Sequence, residues 1–268
     1  MDTPVIADAV REEVERRLRQ IEAEEGVRVF FACESGSRAW GFPSRDSDYD
    51  VRFLYAHPRD WYLSIDLERK RDVIERPILD EIDLSGWDLR KALQLFRKSN
   101  PPLLEWLQSP IIYREETAVA AQFRGLIPVY YSPRRALYHY LHMARGNYKD
   151  YLKGEEVWIK KYFYVLRPLL AILWIEADLG AVPMEFDVLV EKLVAPPALR
   201  EAIDDLLAVK RAGDEVGRGP RIPPISDFIR QELERLETKH VDAEAVKSDV
   251  EGLNVFFRDA LDTLWTAS

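Results

Sequence analysis

Asp48 and Asp50 stand two positions apart in Ser47-Asp48-Tyr49-Asp50-Val51-Arg52-Phe53, shortly after a Gly-Ser pair at Gly36 and Ser37. In an extended segment, residues i and i+2 share a face. Both carboxylates would then point the same way, about 7 Å apart, with Arg52 on the same side. Two anions held that close repel each other unless a cation accompanies them. Hard oxygen donors suit magnesium, which keeps several waters and is usually completed by substrate phosphates. Ser37 falls at a turn, where unsatisfied backbone N–H groups can face a triphosphate. Arg38 beside it and Arg52 on the carboxylate face can each stabilise phosphate charge. Gly-Ser and Asp-x-Asp taken separately are ordinary turn and loop residues. In the order strand, Gly-Ser turn, short basic segment, Ser-Asp-x-Asp, strand, they read as a metal-nucleotide site.

The elements that must hold these residues are legible on either side. Val27-Arg28-Val29-Phe30-Phe31-Ala32-Cys33 is β-branched and aromatic, and it predicts a buried strand feeding the loop. Tyr49, Val51 and Phe53 alternate with Asp48, Asp50 and Arg52, which predicts a second strand with one apolar and one charged face. Val10, Val14, Leu18 and Ile21 recur at helical spacing from Val5 to Glu25, ending at Gly26, and predict an amphipathic helix over one face of the sheet.

At these residues the chain resembles the polymerase-β-like nucleotidyltransferase superfamily, whose fingerprint is a Gly-Ser turn followed by an Asp-x-Asp pair on the next strand. With Arg38-Ala39-Trp40-Gly41-Phe42 after the Gly-Ser and Val51-Arg52-Phe53 after the acids, it is similar to one branch, the predicted nucleotidyltransferases often encoded beside bacterial RNA-repair enzymes. Lys98-Ser99-Asn100-Pro101 and the following Leu103-Leu104-Glu105-Trp106-Leu107 resemble that branch too. The resemblance implies an α+β fold, a small mixed β-sheet with flanking helices followed by an α-helical bundle. It also implies a third carboxylate on a neighbouring strand, to complete a two-magnesium site (manganese being the alternative ion) and to take the proton from the attacking hydroxyl. Asp83 is the expected residue, at the end of a strand Ile78 to Leu84 and just ahead of Ser85-Gly86-Trp87-Asp88, read as a capping box that opens a helix from Trp87 to Lys98. Glu81 and Asp80 are the alternatives, and all three also read as solvated acids on a strand face.

The 268 residues, 47% of them hydrophobic, are enough for two modest cores. Proline density around Pro128 to Pro133 puts the boundary there, giving a nucleotidyltransferase domain over residues 1–130 and a helical domain over 131–268. A single cysteine, Cys33, excludes internal disulfides and suits a reducing compartment. The charged N-terminal helix lacks the order of a signal peptide, and the most apolar segment, Leu169 to Ile175, is too short to span a bilayer, so a cytoplasmic location with no membrane partner is expected. A net charge of −9 argues against a broad, non-specific nucleic-acid surface.

In the second half, Val157 to Ile175 reads as one very apolar helix on which Lys160, Tyr164 and Arg167 fall at i, i+4 and i+7 and so share a face. Cations there need an anionic partner, either a phosphate or an acid of a neighbouring helix. The run Lys160-Lys161-Tyr162-Phe163-Tyr164-Val165-Leu166-Arg167-Pro168 resembles the helical-domain signature of the same branch, which implies a nucleotide-binding face. His139 and His142, three apart on a helix from Arg134 to Leu152, lack further ligands and read as packing histidines. Shorter helices are expected over Met184–Leu193 and Pro197–Ala208, a basic loop over Lys210–Pro224, and closing helices over Ser226–Lys239 and Asp242–Thr266.

The function expected is transfer of a nucleoside monophosphate from an NTP to an acceptor hydroxyl, with release of pyrophosphate. The resemblance implies an RNA or tRNA 3′ end as acceptor and RNA-repair enzymes as partners. The alternatives are a protein or small-molecule acceptor, or a nucleotide-binding regulator without turnover.

Overall fold

The computed structural model describes residues 6–213, 217–237 and 249–266, and the chain divides into two units. One comprises residues 1–39, 48–131 and 246–268, the other 40–47 and 132–245. A single cut after residue 130 therefore does not reproduce the division, because a short segment after the Gly-Ser turn and the last helix each fall on the other side of it.

In the first unit, the run from Val29 to Glu34 is buried without a break, as befits a central strand. It lies in β1 (Arg28–Glu34), which follows α1 (Asp8–Glu25) and its left-handed cap at Gly26. After one helical turn, α2 (Gly36–Ala39), come β2 (Tyr49–Ala56) and a second single turn, α3 (Arg59–Tyr62). The hairpin β3 (Val73–Glu75) and β4 (Ile82–Asp88) follows, then α4 (Leu89–Arg97), α5 (Pro101–Leu107), β5 (Ile112–Glu115), α6 (Thr117–Gly125) and α7 (Ile127–Tyr130). The strands form one sheet in the order β3-β4-β2-β1-β5. It is mixed, because β2 and β4 run parallel while every other pair is antiparallel. Val14, Leu18 and Ile21 of α1 pack with Val51, Phe53, Tyr55 and Leu84 on one face. Leu54 and Ala56 pack with Leu93, Phe96, Leu103 and Phe123 on the other.

The expected strand Ile78–Leu84 and the capping box at residues 85–88 are both corrected. Asp80 and Glu81 have φ of 51° and 62° and form the hairpin turn, so the strand starts at Ile82 and Asp83 lies at its beginning. Ser85 to Asp88 continue the strand, because Ser85, Gly86 and Trp87 pair with β2 on one side and β3 on the other; Gly86 leaves room for the Phe53 ring, which a Cβ there would approach to 2.2 Å. The helix begins at Leu89, with the Asp88 carboxylate accepting from the Arg90 N–H as its cap.

The second unit contains α8 (Pro133–Tyr151), a short strand β6 (Glu156–Trp158), a single 3₁₀ turn (Ile159–Lys161), α9 (Tyr162–Glu176), α10 (Phe186–Leu193), α11 (Pro197–Ala212), β7 (Arg218–Pro220) and α12 (Pro223–Glu237). The single helix expected from Val157 to Ile175 is thus corrected, since its start pairs antiparallel with β7. The expected basic loop is partly regular for the same reason, and residues 214–216 within it lie outside the described residues. Segment 40–47 belongs to this unit through Phe42, stacked on Phe163 with ring centroids 4.5 Å apart, and through the Phe186 N–H, which donates to the Trp40 carbonyl. His142 packs edge-on to the ring of Tyr138, in keeping with a packing histidine.

The chain then returns to the first unit as α13 (Val250–Thr266), whose Leu253, Phe256, Ala260 and Leu261 join the core of Phe96 and Phe123. The start expected for this helix at Asp242, and the end expected for the preceding one at Lys239, lie outside the described residues. Among the described residues, no helix is long and apolar enough to cross a membrane.

Candidate active site

The parallel register of β2 and β4 sets Asp83 directly beside Asp50. Residues paired in register project to the same face, and Arg52 lies two residues further along that face. One guanidinium nitrogen of Arg52 donates to Asp50 Oδ1 at 2.9 Å and to Asp83 Oδ2 at 2.8 Å, and the other donates to the Asp83 carbonyl at 3.1 Å. All three side chains are partly buried. Burial raises the Asp50 carboxyl above its ordinary pKa; the Arg52 charge opposes this, while Asp83 and Asp48 add to it. Asp80 and Glu81 stay in the exposed turn, Asp80 paired with Arg17 at 2.7 Å.

The Gly-Ser turn is built against the same carboxylate. The Ser35 N–H donates to the Asp50 carbonyl at 2.8 Å. Gly36 has a φ of +56°, and a Cβ on it would lie 2.0 Å from Asp50 Oδ2. Both the backbone conformation and the close approach therefore exclude a side chain. Ser37 and Arg38 complete the turn. The Arg38 guanidinium lies 3.9 Å from the centroid of the Tyr49 ring and donates to the Asp48 carbonyl at 3.3 Å. Asp48 is exposed, immediately before β2.

Glu34 is a residue that the sequence reading does not single out. It is completely buried, its carboxylate accepts the Asp50 N–H at 2.9 Å, and Tyr113 donates to its other oxygen. Burial dominates and raises its pKa from 4.5 to about 7, against the lowering effect of those hydrogen bonds. Its one signal in the sequence is position: a carboxylate closing an otherwise apolar strand, directly before Ser35-Gly36.

Among the described residues, no three His, Cys, Asp or Glu side chains are gathered closely enough to hold a metal ion. Asp50 and Asp83 are gathered, and the cation between them is Arg52. The donor set of hard carboxylate oxygens fits magnesium, and the guanidinium marks a position where positive charge is already held.

Of the three residues expected on one face, Tyr164 and Arg167 meet at the ring of Trp40, Tyr164 edge-on with centroids 5.6 Å apart, whereas Lys160 lies outside the helix. Lys160 sits on the 3₁₀ turn and is exposed, Tyr164 on α9 is 43% exposed, and Arg167 is only 1% exposed. Arg167 donates to the carbonyls of Pro183 and Met184, and its guanidinium lies 5.0 Å from the centroid of the Trp40 ring. Lys160 lines a cavity of about 290 Å³ in the second unit with Trp158 and Lys210, and Lys210 donates to Ser44 Oγ at 2.8 Å.

A mixed sheet that carries a Gly-Ser turn, an Asp-x-Asp strand and an acid on the adjoining parallel strand defines a nucleotidyltransferase of the polymerase-β kind. The pattern of one family, RlaP, the RNA repair pathway DNA polymerase beta family, matches residues 10–259, and the chain belongs to that family. It is 51% identical over 249 residues to the uncharacterized protein YcgL of Bacillus subtilis (strain 168), covering 92% of this chain and 95% of that one. A nucleotidyltransferase-like protein from Exiguobacterium sibiricum 255-15, solved by crystallography, is 13% identical over 92% of each chain, with a TM-score of 0.32.

Proposed function

We propose that the protein transfers a nucleoside monophosphate from an NTP to the 3′-hydroxyl of an RNA, releasing pyrophosphate. The observation that carries this reading is the pairing of Asp50 with Asp83 around a cation, beside a turn whose glycine touches the same carboxylate. Asp48, Asp50 and Asp83 are the residues that would hold divalent ions, two magnesium or manganese ions, which would supply alignment of the α-phosphate and stabilisation of the leaving oxygen. Asp83 takes the proton from the acceptor hydroxyl. Gly36, Ser37 and Arg38 hold the β- and γ-phosphates, and Arg52, once the carboxylates have another cation, is free to turn to phosphate oxygens. Lys160 and Tyr164 are proposed nucleotide contacts, with Arg167 positioning Tyr164 through the Trp40 ring that both meet. RNA as acceptor is supported by the family's link to RNA repair. A net charge of −9 favours a second reading, a protein or small-molecule acceptor.

The test is incubation with magnesium, each of four α-labelled NTPs and a pool of tRNA and RNA oligonucleotides, beside Asp50→Asn. Label on RNA that requires Asp50 supports the proposal and names the nucleotide. Label on the protein or on a small acceptor moves the assignment to the second reading. NTP binding without transfer to any acceptor defeats both.

A further inference from the structure

The far end of β2 carries a second cavity, of about 360 Å³, within the first unit. Its polar lining is Tyr55, His57, Trp61, Lys70, Arg71, Arg76 and one carboxylate, Glu25. Tyr55 is completely buried, and its hydroxyl has no hydrogen-bond partner among the described residues. A buried hydroxyl left without a partner costs about 1–3 kcal/mol, so a fold retains one only against some compensation. Burial, joined by the charges of Asp88, Asp72 and Glu25, pushes the phenol's pKa up, so the hydroxyl stays protonated and is available as a donor.

Its neighbours are donors as well. The His57 imidazole is 8% exposed and, among the described residues, makes ring contacts only, stacked on Trp61 with centroids 3.8 Å apart and edge-on to Tyr55. Burial and the Lys70 charge lower its pKa to about 4, leaving a neutral ring with one N–H. Lys70 donates to the Trp61 carbonyl at 3.0 Å and lies over the Trp61 ring at 4.6 Å, without a carboxylate partner among the described residues. Arg71 is exposed and pairs with Glu75 at 3.1 Å; Arg76 is held by Glu24 and Glu25. Two groups thus have no carboxylate partner among the described residues, the Lys70 ammonium, which holds only the Trp61 carbonyl, and the Tyr55 phenol, which holds nothing.

We propose that this cavity is a binding site for a phosphate group, taken by Lys70 and Arg71 at its rim with Tyr55 and His57 as neutral donors inside. The volume suits a phosphate with a small substituent. The site is separate from the carboxylates. Five residues of strand place Tyr55 about 17 Å from Asp50, and the odd number turns it to the opposite face. It stands whether or not the nucleotidyl-transfer reading does.

The phosphate could come from a small molecule or from an RNA backbone, and the test distinguishes them. Binding of orthophosphate, and of a short RNA oligonucleotide lacking terminal phosphates, is measured by calorimetry without divalent ions. The proteins compared are the wild type, Tyr55→Phe, Lys70→Gln/Arg71→Gln and, as a control at an exposed position of α1 outside the cavity lining, Arg19→Gln. Tyr55→Phe keeps the ring and its packing, so loss of folding does not cloud the result. The expected result is a loss of about tenfold in affinity for at least one probe in both cavity variants and not in the control. Orthophosphate alone being affected assigns a small phosphate, and the oligonucleotide alone assigns the RNA backbone. No binding of either probe, or affinities unchanged in Tyr55→Phe and Lys70→Gln/Arg71→Gln, overturns the proposal.

Discussion

The two ends of β2 handle charge in opposite ways. At its start, Asp50 and Asp83 lie side by side and share one guanidinium, so the anions are in excess and a cation already sits among them. At its end, Tyr55, His57 and Lys70 leave donors in excess. One strand thus presents a place for cations at one end and, on its other face, a place for an anion. The alternation of the strand keeps the two chemistries apart, because residues five apart cannot face the same side.

Removing a carboxylate from the first end should have the largest effect. Asp50→Asn or Asp83→Asn is expected to lower nucleotidyl transfer by about 10³-fold, several kcal/mol of transition-state stabilisation, measured as label transferred per unit time. A variant that retained activity would show that the register pair is structural. Glu34→Gln comes next and is read through pH. The folded-state pKa of Glu34, about 7, lies above its ordinary 4.5, so the native state holds this proton more tightly than the unfolded chain does. Its contribution is therefore fully present below pH 4.5 and is lost as the pH rises through 7. The stability of the wild type relative to Glu34→Gln should fall by about 3 kcal/mol across that window, followed by urea denaturation. A flat difference would mean that Glu34 is ionised behind Asp50.

Arg52→Gln sharpens the contrast directly. With chelator present, the two partly buried carboxylates lose their cation, and the protein should lose about 2 kcal/mol. Magnesium should restore most of that loss in the variant and add less to the wild type, as melting temperatures with and without the ion would show. The smallest effect belongs to the other end. Tyr55→Phe removes a hydroxyl that has no partner among the described residues, so the unliganded protein should be unchanged or up to about 1 kcal/mol more stable. A clear loss of stability would show that the hydroxyl is already satisfied.

Local pattern was enough for β2, whose charged and apolar residues alternate in the sequence and in the sheet alike, and for α1 and its cap at Gly26. What stayed illegible depends on contacts between distant residues. Ser85-Gly86-Trp87-Asp88 has the composition of a helix start. It is strand because it pairs with β2 and β3, and its glycine is there to admit the Phe53 ring, far off in sequence. Val157 and Trp158 continue the apolar pattern of α9 but pair with Arg218 and Gly219 instead. The exact partner of Asp50 is likewise a matter of register between β2 and β4, which periodicity within either strand cannot supply. Glu34 escapes for another reason: one acid at a strand's end carries no pattern at all, and only its burial marks it.

The return of α13 to the first unit has a consequence for how the protein comes off the ribosome. Phe256 packs with Phe123, ring centroids 5.2 Å apart, in the core that also holds Leu54 and Phe96. The sheet and its early helices are synthesised first, yet one wall of that core is missing until residue 261 has emerged. The first unit must therefore wait, with apolar surface open, while the whole of 132–245 is made, and the second unit can finish folding before the first one does.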